Sequence, residues 1–129
     1  MKKYDNFCHA LENLQEIYEY EEPYGNVVLT GLVGLYEICF EQSWKAMKES
    51  LYAAGIRAVA IGSPRAIIKE AYSNGMIRDE RLWLDALSDR NNVAHAYNRE
   101  IAGGIVENTK KRYVSMFQEL RSCLEKWQE

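Results

Sequence analysis

The 129-residue sequence predicts an all-α bundle of four long helices and one short helix, antiparallel and joined by short connections. Apolar residues recur at spacings of three and four along nearly the whole chain, which is the period of an amphipathic helix. No segment alternates apolar and polar residues as a half-buried strand does. The length and the 47% hydrophobic content suit one domain, residues 1–129, with a core of its own.

The first helix is predicted over residues 4–20, ended by Pro23 and Gly25. Its apolar stripe consists of Phe7, Leu11, Leu14 and Tyr18. The second helix is predicted over residues 26–54, with Asn26 as its N-cap. Its wider stripe consists of Leu29, Leu32, Val33, Tyr36, Phe40, Trp44, Met47 and Leu51.

Two glycines, Gly31 and Gly34, lie inside the second helix, where glycine costs up to about 1 kcal/mol relative to alanine. We interpret them as a close approach of a neighbouring helix. In the same helix, Glu41 and Lys45 are four residues apart and are expected to form a salt link, with a site role facing Arg90 as the minority alternative.

After an irregular stretch at residues 55–62, a short helix is predicted with Ser63 as N-cap, Pro64 at its first position and Gly75 past its end. The fourth helix opens near Asp79, and the last begins at about Asn98. Their apolar positions are Leu82, Trp83, Ala86 and Leu87, then Ile101, Ile105, Tyr113, Phe117, Leu120 and Leu124.

Composition excludes several classes of protein. The net charge of −3 gives no general attraction to nucleic acid or anionic lipid, and no apolar run is long enough to span a bilayer. The start of the chain does not have the pattern of a signal peptide. Three cysteines, far apart in sequence, are typical of reduced thiols, so we expect a cytoplasmic protein. With only two histidines, His9 and His95, no metal site or cofactor is expected.

Polar residues concentrate between residues 87 and 100, LSDRNNVAHAYNRE. Consecutive asparagines are poor helix formers, and such conflicts with folding tend to lie at functional sites. On an ideal helix Asn91 and His95 share a face, whereas Arg90 and His95 diverge by about 140°. Arg90 and His95 therefore meet on one ligand only through the reach of arginine, a helix distortion or a second subunit.

The chemistry of this set suits a phosphodiester. Arginine offers a planar fork of donors to phosphate oxygens, and histidine moves a proton near neutral pH. The structural alternative stays open: Arg90 pairs with Asp85, Asp89 or a glutamate of a neighbouring helix, and Tyr97 packs at the bundle edge. From the residues alone, the structural alternative is favoured.

The spacing of Arg90, His95 and Tyr97 resembles the Arg-x4-His-x-Tyr signature of HEPN (higher eukaryotes and prokaryotes nucleotide-binding) domains. The resemblance extends over nearly the whole chain. Four segments are similar to the small bacterial family of nucleotidyltransferase substrate-binding proteins. In chain order they are KKYDNFCHALENL, GLVGLYEICFEQSWKAMKESL, GSPRAIIKEAYSNGMI and RNNVAHAYN.

That resemblance implies a four-helix up-and-down bundle, a homodimer, and a partner: a minimal nucleotidyltransferase encoded nearby. Related HEPN proteins are toxins of two-gene toxin–antitoxin systems that cleave RNA without metal. By that resemblance, Arg90 stabilises transition-state charge, His95 acts as general base or acid, and Asn91 supports them. Tyr97 is the residue that the transferase adenylylates.

Two functions follow as hypotheses. The first is a binding subunit that helps a separate nucleotidyltransferase hold its nucleotide or acceptor; no phosphate-binding glycine loop of its own is present. The second is a metal-independent endoribonuclease using Arg90 and His95. Because the chain is acidic, RNA binding needs a local cluster such as Lys110, Lys111 and Arg112, which is otherwise the solvated face of a helix.

Overall fold

The computed structural model describes residues 2–57, 59 and 62–128, and within them the regular structure is helical throughout. The predicted all-α bundle is confirmed. Its α-helices are α1 (Lys2–Leu14), α2 (Asn26–Ala53), α3 (Pro64–Ser73), α4 (Glu80–Asn91), α5 (Arg99–Asn108) and α6 (Val114–Trp127). Part of the stretch predicted to be irregular, residues 58, 60 and 61, lies outside the described residues.

The buried side chains of the helices form a single core centred on aromatic rings. Tyr36 of α2 stacks on Tyr113 with ring centroids 5.3 Å apart, and Trp83 of α4 meets Phe117 of α6 edge-on at 5.6 Å. Phe7 of α1 contacts the same Phe117 ring at 6.2 Å. The predicted apolar stripes therefore converge on one centre, which fixes α4 against α2.

The first helix differs from the prediction. It is α-helical only to Leu14 and continues as a 3-10 turn, Gln15–Glu19. In a 3-10 turn, residues three apart lie one above the other, so Ile17 follows Leu14 into the core. Ile17 is fully buried, whereas Tyr18, which we predicted on the apolar stripe, is 51% exposed.

Two predictions for α2 are wrong. Its N-cap is Gly25, and Asn26 is the first helical residue, whose side chain makes no capping hydrogen bond. Gly31 and Gly34 do not mark a close approach within the chain, because a methyl group added at either would meet nothing within 4 Å. The two glycines face open space.

The predicted ends of the short helix α3 are confirmed. The Ser63 hydroxyl accepts a hydrogen bond from the backbone N–H of Ala66 at 3.3 Å, and Pro64 is the first helical residue. At the other end, Gly75 has a φ of +74°, and the N–H of Met76 donates to the carbonyl of Ala71 at 2.9 Å. This is the Schellman arrangement, which favours glycine at that position.

The last predicted helix is interrupted by a π-helical turn, Thr109–Tyr113, between α5 and α6. The wider turn disturbs the regular carbonyl ladder. The Tyr18 hydroxyl donates to the carbonyl of Lys110 at 2.7 Å, and the Thr109 hydroxyl donates to the carbonyl of Ile105 at 2.7 Å. Side-chain donors therefore satisfy backbone acceptors at the distortion.

None of the described helices is both long enough and apolar enough to cross a bilayer. The three cysteines are free thiols. Cys39 is completely buried in α2, and burial raises the pKa of its thiol far above the ordinary value. Its packing is therefore that of a small apolar core residue.

Candidate functional site

The segment that follows α4 carries the residues singled out in the sequence. α4 ends at Asn91, and the chain continues as a 3-10 turn, Asn92–His95. Asparagine competes for backbone hydrogen bonds, which explains why the α-helix stops here. Ideal α-helical spacing therefore does not apply between Arg90 and His95. The helix distortion that we named as one way to bring them together is present.

Arg90 is held in place by two neighbouring side chains. Its guanidinium forms an ion pair with the Glu41 carboxylate of α2 and donates to the Asn91 side-chain oxygen at 3.3 Å. The Arg90 and Glu41 side chains are 27% and 25% exposed, so the pair is half-buried. Trp44 donates its indole N–H to the second Glu41 oxygen at 3.2 Å.

The expected link between Glu41 and Lys45 is wrong. Glu41 pairs with Arg90, the alternative that we gave less weight, and no ion pair joins it to Lys45 in the described chain. An arginine fork reaches across the helix interface and satisfies the half-buried carboxylate better than a lysine on the same helix surface.

His95 and Tyr97 lie together on the outside of the molecule. Both are exposed, Tyr97 by 82%, and their ring centroids are 6.4 Å apart. Tyr97 therefore does not pack at the bundle edge. In the part of the chain that the structure describes, no hydrogen bond or ion pair joins His95 to Arg90.

The far end of the segment is fixed to the start of α2. Arg99 donates to the Asn26 side-chain oxygen at 3.1 Å and to the carbonyl of Tyr24 at 2.6 Å. Arg90 thus contacts the middle of α2 and Arg99 its beginning, so both ends of residues 90–99 are fixed to α2. The exposed His95 and Tyr97 lie between two anchored arginines.

A polar network beside Arg90 was not predicted from the sequence. The Asp89 carboxylate accepts hydrogen bonds from the Tyr113 hydroxyl at 2.7 Å and from the Asn108 amide at 3.0 Å. One turn earlier, Asp85 pairs with Arg112 at 2.7 Å. The four-residue spacing of Asp85 and Asp89 could have indicated that the two carboxylates lie on one face of α4. Their partners could not be predicted, because they depend on the π turn, which no sequence pattern indicates.

The basic cluster suggested for RNA binding is engaged within the chain. Lys110 donates to the Tyr24 hydroxyl at 2.8 Å, Lys111 pairs with Glu107 at 2.7 Å, and Arg112 pairs with Asp85. These contacts favour the structural alternative for the cluster. A ligand phosphate would have to compete with each of these partners.

Two tyrosines beside this network, Tyr36 and Tyr113, are buried, and burial changes the pKa of their hydroxyl groups. Desolvation raises the pKa of Tyr36 and of Tyr113 far above the ordinary tyrosine value, and the neighbouring Asp89 carboxylate adds to both shifts. Both hydroxyl groups are therefore neutral hydrogen-bond donors, to Asp89 for Tyr113 and to the Ala86 carbonyl for Tyr36. They position α4 and take no part in proton transfer near neutral pH.

No cluster of three or more histidine, cysteine or carboxylate side chains that suits a metal ion occurs among residues 2–57, 59 and 62–128. The polar groups of the segment are the guanidinium groups of Arg90 and Arg99, one imidazole, one phenol and the asparagine amides beside them. Such groups bind an anion and move a proton.

Fold and site define an all-α bundle that presents an exposed polar segment between its fourth helix and its last helical run. The sequence model described as "Nucleotidyltransferase substrate binding protein like" matches residues 2–126, and the chain belongs to that family. No curated protein sequence gives a significant match.

Solved structures share the fold. A Thermus thermophilus protein is 26% identical with a TM-score of 0.76, and the alignment covers 95% of this chain and 99% of that protein. A Haemophilus influenzae protein is 20% identical with a TM-score of 0.79, covering 98% of this chain and 99% of that one. Its structure was described as revealing the fold of a substrate binding domain of a nucleotidyltransferase.

Proposed function

We propose that this protein is the substrate- or nucleotide-binding subunit of a separately encoded minimal nucleotidyltransferase, in a two-gene system of the toxin–antitoxin type. The observation that carries the proposal is the family match over residues 2–126. The exposed segment between the anchored Arg90 and Arg99 supports it, because such a segment is accessible to a second protein.

The pairing is tested by co-expressing the chain with the nucleotidyltransferase encoded beside it. We expect a stable complex on size-exclusion chromatography. If the two proteins elute separately at micromolar concentration, the proposal is wrong.

Within that pairing, Tyr97 is the proposed acceptor of AMP. Its hydroxyl oxygen attacks the α-phosphorus of ATP and loses its proton to water, the bond from that phosphorus to the oxygen bridging the α and β phosphates breaks, and pyrophosphate leaves. Its 82% exposure leaves the hydroxyl free to enter a transferase site. Mass spectrometry after incubation with ATP and the transferase is expected to find the adduct on Tyr97. The Tyr97→Phe variant should lose it, whereas Tyr72→Phe, at another exposed tyrosine, should keep it. An adduct elsewhere, or none, contradicts the proposal.

The second candidate is a metal-independent endoribonuclease. The observation that favours it is a half-buried guanidinium within the same short segment as an exposed imidazole. The ribose 2′-oxygen would attack the adjacent phosphorus while His95 takes its proton, and the bond from phosphorus to the 5′-oxygen would break as that oxygen gains a proton from water. Arg90 would stabilise the charge on the phosphorane, with Asn91 fixing its guanidinium.

Cleavage is measured on RNA in EDTA, and the expected products carry 2′,3′-cyclic phosphate and 5′-hydroxyl ends. Replacing His95 by Ala should reduce cleavage by at least about 100-fold, the usual contribution of general acid–base catalysis. The control is His9→Ala, at the other exposed histidine. Equal cleavage by wild type and His95→Ala eliminates this candidate.

We also propose that two copies of this protein form a homodimer. Along the outer surface of α2, Val27 is 87% exposed and Ile38 is 55% exposed, with Gly31 and Gly34 between them. Glycines facing open space on an apolar helix surface allow another helix to approach closely. This surface borders residues 90–99, so a second copy there would bring two sets of site residues together.

A further inference from the structure

A groove on the opposite side of Trp44 from the Arg90 pair combines cations with aromatic rings. It lies between the start of α1 and the C-terminal half of α2 and has a volume of about 550 Å³, which is in the range of small-molecule sites. Its lining residues are Lys3, Trp44, Lys45, Lys48, Glu49 and Tyr52.

The groove carries a net positive charge, with three lysines against one glutamate, although the protein as a whole is acidic. In the described part of the chain, no carboxylate lies within 4.0 Å of the ammonium groups of Lys3, Lys45 or Lys48, whereas Lys69 and Lys111 are paired. The one acidic lining residue, Glu49, accepts a hydrogen bond from the backbone N–H of Lys3 at 3.2 Å. The three ammonium groups are therefore available to an anionic ligand.

Two aromatic side chains lie among these cations. Tyr52 is 45% exposed, and the guanidinium carbon of Arg57 lies 4.3 Å from its ring centroid. Trp44 is half-buried with its indole N–H directed to Glu41. An exposed ring beside several cations is the combination that binds single-stranded nucleic acid, since bases stack on the ring and phosphates meet the ammonium groups.

The groove is linked to the candidate site through contacting side chains. Trp44 lines it and donates to Glu41, and Glu41 holds Arg90. A chain lying in the groove is thus separated from the Arg90 guanidinium by two side chains. In the cluster Lys110, Lys111 and Arg112, two of the three charges are neutralised, because Lys111 pairs with Glu107 and Arg112 with Asp85, whereas Lys110 donates to neutral oxygens.

We propose that this groove binds a segment of single-stranded RNA, with a nucleobase stacked on Tyr52 and phosphates on Lys3, Lys45 and Lys48. The inference rests on the proposed function, for which it supplies the ligand class and the place where the ligand binds. The shared chemistry is a nucleobase with attached phosphate, which a free nucleotide also offers.

The test uses the full-length His95→Ala variant in EDTA, so that binding is measured without cleavage. The probes are a fluorescein-labelled RNA octamer, followed by fluorescence anisotropy at several salt concentrations, and unlabelled AMP as competitor. We expect the octamer to bind at least tenfold more tightly than AMP. Equal affinities would assign the groove to a free nucleotide and overturn the RNA assignment.

Lys45→Gln with Lys48→Gln should weaken octamer binding at least tenfold and lower the slope of log affinity against log salt by about 1.4, because about 0.7 is lost per phosphate contact. The matched control is Lys69→Gln with Arg78→Gln, which removes the same charge from two ion-paired residues elsewhere. A loss in the control, or none in the groove variant, overturns the proposal.

Stacking is tested separately by Tyr52→Ala, which should weaken binding roughly 5- to 100-fold, and by Tyr52→Phe, which should retain it. Equal affinities for these two variants contradict stacking. Circular dichroism verifies the fold of each variant. Transferase binding and RNA cleavage are measured on separate samples, so failure of the groove proposal is distinguished from failure of the proposed function.

Discussion

Arg90 is the residue that would stabilise transition-state charge in the proposed ribonuclease. Its guanidinium is held by Glu41 yet remains about a quarter exposed, so it has a fixed position and one free side. An unpaired arginine on the surface would lose side-chain entropy on binding a phosphate. The ion pair therefore orients the group before a ligand arrives.

The stability of this pair is tested by Glu41→Gln. Removing the charge leaves a half-buried guanidinium without its partner, and we expect a loss of about 1–2 kcal/mol in the free energy of unfolding in urea. The control is Glu119→Gln, which breaks the exposed pair with Arg78, where both side chains are more than half exposed. There the loss should stay below about 0.5 kcal/mol. Equal losses would show that the half-buried position has no special role.

The two buried tyrosines give a prediction for alkaline pH. An acid whose pKa is raised by folding stabilises the folded state fully below its unfolded pKa, near 10 for tyrosine, and progressively less above it. Because the pKa values of Tyr36 and Tyr113 are raised, stability should fall as pH rises above about 10. Tyrosinate absorbance should show at least two of the nine tyrosines ionising only with unfolding. In guanidinium, where the protein is unfolded, all nine tyrosines should ionise in a single transition. A single transition in the folded protein would contradict the prediction.

At the scale of elements, the connection between α4 and α5 owes its shape to asparagines at both ends. Asn91 and Asn92 end α4, and the side chain of Asn98 accepts hydrogen bonds from the backbone N–H groups of Glu100 at 2.9 Å and Ile101 at 3.2 Å. This cap fixes where α5 begins. It therefore fixes how the chain leaves His95 and Tyr97.

Replacing Asn98 by Ala should lower the free energy of unfolding by about 1 kcal/mol, because two N–H groups lose their acceptor. Asn98→Asp retains an acceptor at the same place and should stay within a few tenths of wild type. The free energies of unfolding of wild type, Asn98→Ala and Asn98→Asp are measured by urea denaturation. A loss in Asn98→Asp as large as in Asn98→Ala would mean that the cap is not the cause.

The sequence was sufficient for those elements whose signals are local. Ser63, Pro64 and Gly75 define α3 through contacts within one turn, and the spacing of apolar residues defines the core faces of α2 and α6. Local signals do not show a change of helix type, so Ile17 and the π turn were missed. Nor do they show partners distant in sequence, which is why Glu41 was assigned to Lys45.

At the scale of the whole molecule, the outer surface of α2 is where we propose that a second copy binds. Ile38 is more than half exposed on this surface, beside Gly31 and Gly34, which have open space next to them among the described residues. The proposed homodimer would cover them. A second copy here would also stand beside residues 90–99.

We expect light scattering to show a dimer at micromolar concentration and Ile38→Glu to convert it to a folded monomer, because a carboxylate would be buried at the interface. Tyr72→Glu places the same charge at an exposed residue of α3 and should leave the dimer intact. A wild-type monomer, or a dimer that tolerates Ile38→Glu, would remove this interface.

The wide turn at residues 109–113 has a consequence for comparing this chain with its relatives. A π turn takes in one residue more than an α-helical turn, so the side chains after it are rotated by about 100° from where an uninterrupted helix would place them. A homologue with a regular helix here would align only with a one-residue gap, in the middle of a helix where gaps are otherwise rare. That gap would identify the homologues lacking the geometry that directs Arg112 and Tyr113 to the two aspartates of α4.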